Sequence, residues 1–214
     1  MATILPFHDP LSPHIIEQAV ACVQRGGVLA IPTDSYYALA VGVFQPAALE
    51  HVLAIKGHRE HKPFPVLIGD PSQLSQLVDD VPEIAKKLIQ QFWPGLLTLV
   101  LQAKPHLFPL IISEQDTIGV RQPNDLRLYE LLNQAGPLTG TSANHTGQSP
   151  AQSAKEVIEQ LGPQIDLILD GGLTPGGQPS TVLQVGREIR ILRAGAIPTH
   201  ALQKAIGASR KILL

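Results

Sequence analysis

"STVLQVGREIRILRAG", residues 180–195, decides the fold class. It reads as two short strands, rich in Val, Ile and Leu, joined by a tight connection through Gly186. That is a hairpin, and a hairpin makes antiparallel neighbours. Elsewhere helical and strand-like patterns alternate, which favours parallel pairing with helices as crossovers. The two signals together predict one α/β domain over residues 1–214 with a mixed sheet.

Working outward, Ser12-Pro13 opens a helix, with Ile15, Ile16, Ala19, Val20 and Val23 at helical spacing and Gly26-Gly27 at its end. "VLAIPT" (28–33) is a buried strand, "PAALEHVLAIK" (46–56) a helix and "PVLIG" (65–69) a strand. "PSQLSQLV" and "VPEIAKKLIQQFW" follow as helices. "LLTLVLQ" (96–102) and "TIGVRQP" (117–123) are strands, and Thr98 is the only interior polar residue of the first. "NDLRLYELLNQAG" is a capped helix, "SAKEVIEQLG" a helix with a Ser153–Glu156 capping box, and "IDLILD" a strand. Residues 198–207 form a short last helix.

Composition narrows the function. Of 214 residues 44% are hydrophobic, enough for a core, and the formal net charge is −2. That excludes a chain coated in positive charge for gross nucleic-acid binding. The single cysteine, Cys22, rules out a disulfide framework and any multi-cysteine metal site, and reads as core filler. The start shows no signal-peptide pattern and no stretch has the length of a membrane span, so a soluble, cytoplasmic protein with no membrane partner is expected.

Four loops interrupt the apolar pattern. "PTDSYYAL" (32–39) follows a buried strand, where α/β proteins place ligands, although Asp34 in a capped turn explains it equally. "IKGHREHKPF" (55–64) gathers Lys56, His58, Arg59, Glu60, His61 and Lys62. It suits a solvated helix end or a phosphate site. As a metal site it is weak, with two histidines and no third ligand nearby. "GTSANHTG" (140–147) offers small hydroxyls and backbone N–H groups without the spacing of a P-loop or a dinucleotide fingerprint. In the hairpin, Ser180 and Arg193 can share one pocket, and Arg121 ends its strand in a comparable position. No nucleophile elbow or HExxH occurs.

Taken together, these motifs resemble the YrdC-like family of threonylcarbamoyl-AMP synthases from about residue 12 to about residue 198. "PTDSYYAL", "IKGHREHKPF", "QFWPGLLTLVL", "IGVRQP", "TSANHTGQSP" and "PSTVL" with "ILRAGAI" stand in the family's order. The resemblance implies a twisted mixed sheet flanked by helices with an electropositive concave face. It implies that L-threonine and bicarbonate form a carbamate that attacks the α-phosphate of ATP. Pyrophosphate leaves, and threonylcarbamoyl-AMP passes to a tRNA threonylcarbamoyl-transfer complex. Mg2+ accompanies ATP as cofactor, with no metal site of the protein's own. By the same resemblance Thr33, Ser35, Arg121 and Ser180 hold threonine. Lys56, His58, Lys62, Thr117, Thr141, Ser142, Asn144 and Arg193 hold ATP, and Lys56, His58 and Arg59 are the catalytic cations.

The chain departs from the family's pattern at four places. His58 stands at the family's arginine, with Arg59 one residue later, and Ala38 replaces a glycine. Leu67 stands where some relatives have histidine, and Pro179 where many have glutamate. Two alternatives stay open on sequence. One is a YciO-like paralogue that binds nucleotide or RNA with little synthase activity. The other is an RNA-binding module, against which the 4% aromatic content speaks.

Overall fold

The computed structural model describes residues 2–57, 62–208 and 210–213. Its elements run β1 (Thr3–Pro6), α1 (Pro13–Gln24), β2 (Leu29–Ile31), β3 (Ala38–Ala40), α2 (Pro46–Lys56), β4 (Val66–Leu67) and α3 (Glu83–Phe92). Then come β5 (Leu97–Gln102), β6 (Thr117–Arg121), α4 (Leu126–Ala135), β7 (Leu138–Thr139), β8 (Thr141–Ser142) and α5 (Ala154–Leu161). The last are β9 (Leu167–Asp170), β10 (Thr181–Val185), β11 (Ile189–Arg193), α6 (Thr199–Ile206) and β12 (Ile212–Leu213).

The expected hairpin is there: β10 pairs antiparallel with β11, while β10 runs parallel to β5. The mixed α/β class holds, but the strands divide into two sheets. One has the order β1-β9-β2-β3-β8 and the other β12-β11-β10-β5-β6-β4-β7. The division falls at Thr139–Gly140–Thr141, where the chain leaves one sheet at β7 and enters the other at β8. Thr139 fastens the crossing, its Oγ1 donating to Leu39 O (3.0 Å) and accepting from Val41 N (3.1 Å). Gly140 is required there, because a Cβ would lie 2.5 Å from Leu67 Cγ.

Strand alternation explains why one sheet is closed and the other open. In β2, Ala30 enters the larger core, while Leu29 and Ile31 enter the smaller one under α1 and α4. The five-stranded sheet is thus apolar on both faces. In the seven-stranded sheet, Leu97, Leu99, Leu101, Ile118, Val120, Leu183 and Val185 all face the larger core. The alternate residues, Thr98, Val100, Gln102, Thr117, Gly119, Arg121, Val182 and Gln184, therefore share the opposite face. This face is polar and is the only place where the central strands can offer chemistry. Each fully buried Leu or Val on the core side contributes about 1.5–3 kcal/mol, so the register is strongly fixed.

Local signals mostly behave as expected. Asp125 caps α4, accepting from Arg127 N and Leu128 N. Ser153 accepts from Glu156 N, and Glu156 reaches back one residue further than expected, to Gln152 N (2.9 Å). Ser12 sits at the cap position of α1 but makes no side-chain cap bond. "PSQLSQLV" is a 3-10 helix, Pro71–Gln76, rather than an α-helix. Buried Gln73 holds it tight, its amide bridging Gly69 N and Leu132 O. Cys22 is buried core filler, and burial raises its pKa, with Asp166 adding to the effect. Among the described residues no helix is long and apolar enough to cross a membrane.

Candidate active site

Arg121 ends β6 on the polar face and is buried, with 6% of its surface exposed. A buried guanidinium needs compensation. It comes from Asp34 in the β2–β3 loop, whose Oδ1 lies 2.8 Å from Arg121 Nη1. Asp34 Oδ2 accepts from Asn124 N at 3.1 Å, just beyond β6. The ion pair therefore ties a loop of the five-stranded sheet to the end of a strand in the seven-stranded one. The only other contact of the Arg121 fork among the described residues is a long one, from Nη1 to Gly95 O at 3.5 Å.

The rest of the "PTDSYY" turn is held from within. Thr33 Oγ1 donates to Tyr36 O (2.7 Å) and accepts from Ser35 N (3.2 Å), and it lies 3.1 Å from Ser35 Oγ. Thr33, expected to line the threonine pocket, is thus buried and spends its hydroxyl on shaping the loop that carries Ser35. The glycine-rich segment after β9 closes over this loop. Gly176 N donates to Ser35 O (2.7 Å), and the Tyr36 hydroxyl donates to Gly177 O (2.6 Å).

The hairpin supplies the neighbouring groups. Ser180, just before β10, shares a 2.8 Å hydroxyl–hydroxyl bond with Thr98 of β5. Arg193, ending β11, donates from Nη2 to Ser180 Oγ (3.0 Å) and Ser180 O (2.9 Å). Desolvation of the Arg193 head, and then the charge of Arg121, hold its pKa below the ordinary arginine value. Two guanidinium groups thus repel each other beside two hydroxyls, an arrangement that an anion relieves. Gly195 permits the close crossing behind them, since a Cβ there would meet Pro179 O at 2.3 Å.

A second cluster forms at the end of α2. Lys56 is buried, and its Nζ donates to Ser142 O (2.7 Å), Asn144 O (2.6 Å) and Asn144 Oδ1 (3.1 Å). Asn144 Nδ2 donates to His145 O (2.8 Å) and Gln148 O (2.7 Å), and Thr146 N to Lys56 O (3.1 Å). The "SAN" loop is wrapped around the helix end, where a lysine also suits the carbonyl-rich terminus. Lys56, expected to grip phosphate, therefore points its ammonium at the loop's own oxygens. Thr141 is buried beside this loop, Ser142 is half-buried, and Lys62 is exposed on the way to buried Phe64. His58 and Arg59 lie outside the described residues.

Thr117 belongs to the same polar face but stands at the other end of β6, roughly 13 Å from Arg121 by strand rise. Its hydroxyl is 2.7 Å from Ser113 Oγ. It borders a hollow of about 410 Å3 with Gln102, Gln184, Asp79 and Asp80. The polar face thus carries Arg121 at one end of β6 and Thr117 at the other, with Gly119 between them. A different hollow, between Phe44, Pro46 and Phe108, contains none of these groups. Asp34 in its pairing role and Thr98 were not among the expected site residues. Thr98 did carry a signal, being a lone hydroxyl in an apolar strand.

Comparison with known proteins identifies the family of the chain. Residues 21–195 match the Sua5/YciO/YrdC family model, described as "Telomere recombination". The chain is 35% identical over 195 residues to the threonylcarbamoyl-AMP synthase of Bacillus subtilis (strain 168), covering 90% of this chain and 56% of that one. It is 32% identical to a putative threonylcarbamoyl-AMP synthase of Mycobacterium tuberculosis (strain CDC 1551 / Oshkosh), covering 90% and 89%. A crystal structure of Pyrococcus abyssi Sua5 complexed with L-threonine superposes with a TM-score of 0.91 at 30% identity, covering 99% of this chain and 62% of that one. The chain thus spans less than two thirds of the Bacillus and Pyrococcus proteins and most of the mycobacterial one. Its motifs, its two-sheet fold and the extent of these matches place the chain in the Sua5/YciO/YrdC family.

Proposed function

We propose that this protein is an L-threonylcarbamoyladenylate synthase. The observation that carries the reading is the polar cluster at one end of the central strands, where Arg193 bonds Ser180, Ser180 bonds Thr98 and Arg121 pairs with Asp34. With Ser35 on the loop beside Asp34, this cluster is read as the seat of a carboxylate and a hydroxyl. The "SAN" loop, braced by Lys56, borders the nucleotide. Relatives that share most of this chain carry the synthase name, and one solved relative holds L-threonine.

In this reading Arg121 takes the threonine carboxylate, and Ser35 and Ser180 take its remaining polar groups. The neutral amine and bicarbonate give the carbamate and water. A carbamate oxygen then forms a bond to the α-phosphorus of ATP as the α–β bridging bond breaks, and pyrophosphate leaves. Arg193 and the Ser142 hydroxyl stabilise the charge that builds on the phosphates, while Asn144, whose donors hold the loop, shapes the nucleotide side of the site. Fixed donors and cations of this kind supply most of the acceleration in phosphoryl-type transfers. Lys62, Thr117, Thr141 and, from the sequence, His58 and Arg59 are assigned to the nucleotide. The donor set of the assigned residues, hydroxyls and cations, fits triphosphate oxygens better than a protein-held divalent ion. Mg2+ is accordingly assigned to the ATP phosphates, where it neutralises charge. The product is handed to a transfer complex for tRNA, and a contact with tRNA belongs to that step. The YciO-like alternative is not favoured, given the names of the relatives.

The test is pyrophosphate release by purified protein with L-threonine, bicarbonate and Mg-ATP. The expected result is release that stops when threonine or bicarbonate is omitted. Silence from a folded sample overturns the reading.

A further inference from the structure

Asp34 is the charged partner of Arg121 at the end of β6. Both of its oxygens meet donors from one short stretch, the end of β6 and the turn beyond it. Oδ2 accepts from Asn124 N at 3.1 Å, and Oδ1 lies 2.8 Å from Arg121 Nη1. The second contact is an ion pair rather than an aligned hydrogen bond, since Oδ1 is buried without a bond of good geometry. Charge, not a directed bond, therefore keeps the Arg121 head in place. The opposite edge of the fork, Nε and Nη2, has no partner among the described residues.

We propose that Asp34 is a positioning residue: it holds the Arg121 guanidinium by one corner so that the free edge faces the carboxylate of the amino-acid substrate. This rests on the functional reading above and adds a residue that reading does not use. The chemistry is restrictive. Only a carboxylate offers two acceptors across this span. An asparagine of the same shape has one acceptor oxygen, so its NH2 would be set against either Arg121 or the Asn124 N–H. The location matters as well. Asp34 stands between Thr33 and Ser35 in a loop fixed by Thr33 Oγ1 and by Gly176, so its backbone cannot follow a wandering arginine.

A purely structural ion pair makes a different forecast, and Asp34→Asn separates the two. The experiment measures KM for threonine, KM for ATP, kcat and the thermal midpoint of wild type, Asp34→Asn and Asp34→Glu. Positioning predicts that Asp34→Asn raises the threonine KM between about tenfold and about a hundredfold, the range for a misplaced charged contact. The ATP KM stays near wild type, while the thermal midpoint falls because a buried guanidinium loses its compensating charge, the protein remaining folded at the assay temperature. Asp34→Glu, which restores the charge on a longer arm, recovers part of the loss. An unchanged threonine KM overturns the proposal. So does a joint rise of both KM values in step with lost folded protein. If Asp34→Asn does not fold, Asp34→Glu decides by the same criterion, a rise in threonine KM alone. A wild type without threonine-dependent activity fails the functional reading itself, which is a result distinct from an active wild type and an unaffected variant.

Discussion

Lys56 and Arg121 are both buried cations, and the difference between them separates scaffold from site. The ammonium of Lys56 meets three oxygens of residues 142–144 between 2.6 and 3.1 Å. An ammonium has three donors, and residues 142–144 alone supply three acceptors. Arg121 has five donors, and the described residues engage only Nη1, through an ion pair with Asp34 and a 3.5 Å contact with Gly95 O. The remaining Arg121 donors are not among the fully buried unpaired atoms, so they keep access to solvent. A buried cation that the fold satisfies is holding the fold, while one left partly unmet can serve a ligand, as proposed above for Arg121. One lesson for reading such chains is that burial of charge alone does not mark a binding residue.

The largest effect that tests this contrast is Lys56→Met. It keeps most of the apolar stem and leaves two carbonyls and an amide oxygen without the lysine donor. Hydrogen bonds to a charged group are worth about 1.5–3 kcal/mol each, with strong overlap among the three, so a loss of about 3 kcal/mol in unfolding free energy is expected. For a chain of this size that lowers the thermal midpoint by about 6–12 °C. ATP affinity falls more than threonine affinity, because the loosened loop borders the nucleotide. Calorimetry with ligand titration checks both. An unchanged midpoint with lost ATP binding would return Lys56 to the phosphate-gripping role that the sequence suggests.

Arg121→Lys comes next. The charge stays beside Asp34, but the planar fork is lost. We expect threonine KM to rise by a factor equivalent to about 2 kcal/mol, with little change in the thermal midpoint. Steady-state kinetics with threonine varied at saturating ATP measures it. An equal effect on ATP would place the arginine under the phosphates instead.

The same contrast shows how far the sequence could be read. Where the chain breaks its apolar pattern was legible, because small hydroxyls and cations interrupt it at residues 32–39, 55–64, 140–147 and in the hairpin at 180–195. The hairpin was legible from its two β-rich runs. The direction of a buried side chain was not. Nothing near Lys56 in sequence shows that its acceptors lie at 142–144, 86 and 88 residues away. Asp34 likewise looks like a turn residue until Arg121 is brought to it across two sheets. The close approach of Gly140 to Leu67 at one crossing between the sheets, where a Cβ would lie 2.5 Å from Leu67 Cγ, is a distance no local pattern encodes. Short strands such as β1, β3 and β12 are made by their partners, with too few residues for periodicity to reveal them.

Tyr37 offers the smallest effect at neutral pH and the sharpest sign. It sits directly after the site loop, wholly buried, and it is satisfied as Lys56 is. Its hydroxyl donates to Gly172 O (2.9 Å) and accepts from Gly171 N (3.2 Å). Burial pushes its pKa up to about 12, against which the Gly171 N–H works and to which Asp170 adds. In the unfolded chain it titrates near 10. The folded value is the higher, so the stabilisation is complete below pH 10 and is lost as pH rises toward 12. The expected loss is about 1 kcal/mol by pH 11, growing to a few kcal/mol at about pH 12. Urea unfolding of wild type and Tyr37→Phe across this window isolates the group, because every other titration is common to both. The wild-type advantage shrinks as pH rises if the phenol stays protonated in the fold. A constant difference would mean that the hydroxyl ionises as easily inside as outside. Gly171 and Gly172 would then be yielding to it, and the segment that closes over Ser35 would be looser than its hydrogen bonds indicate.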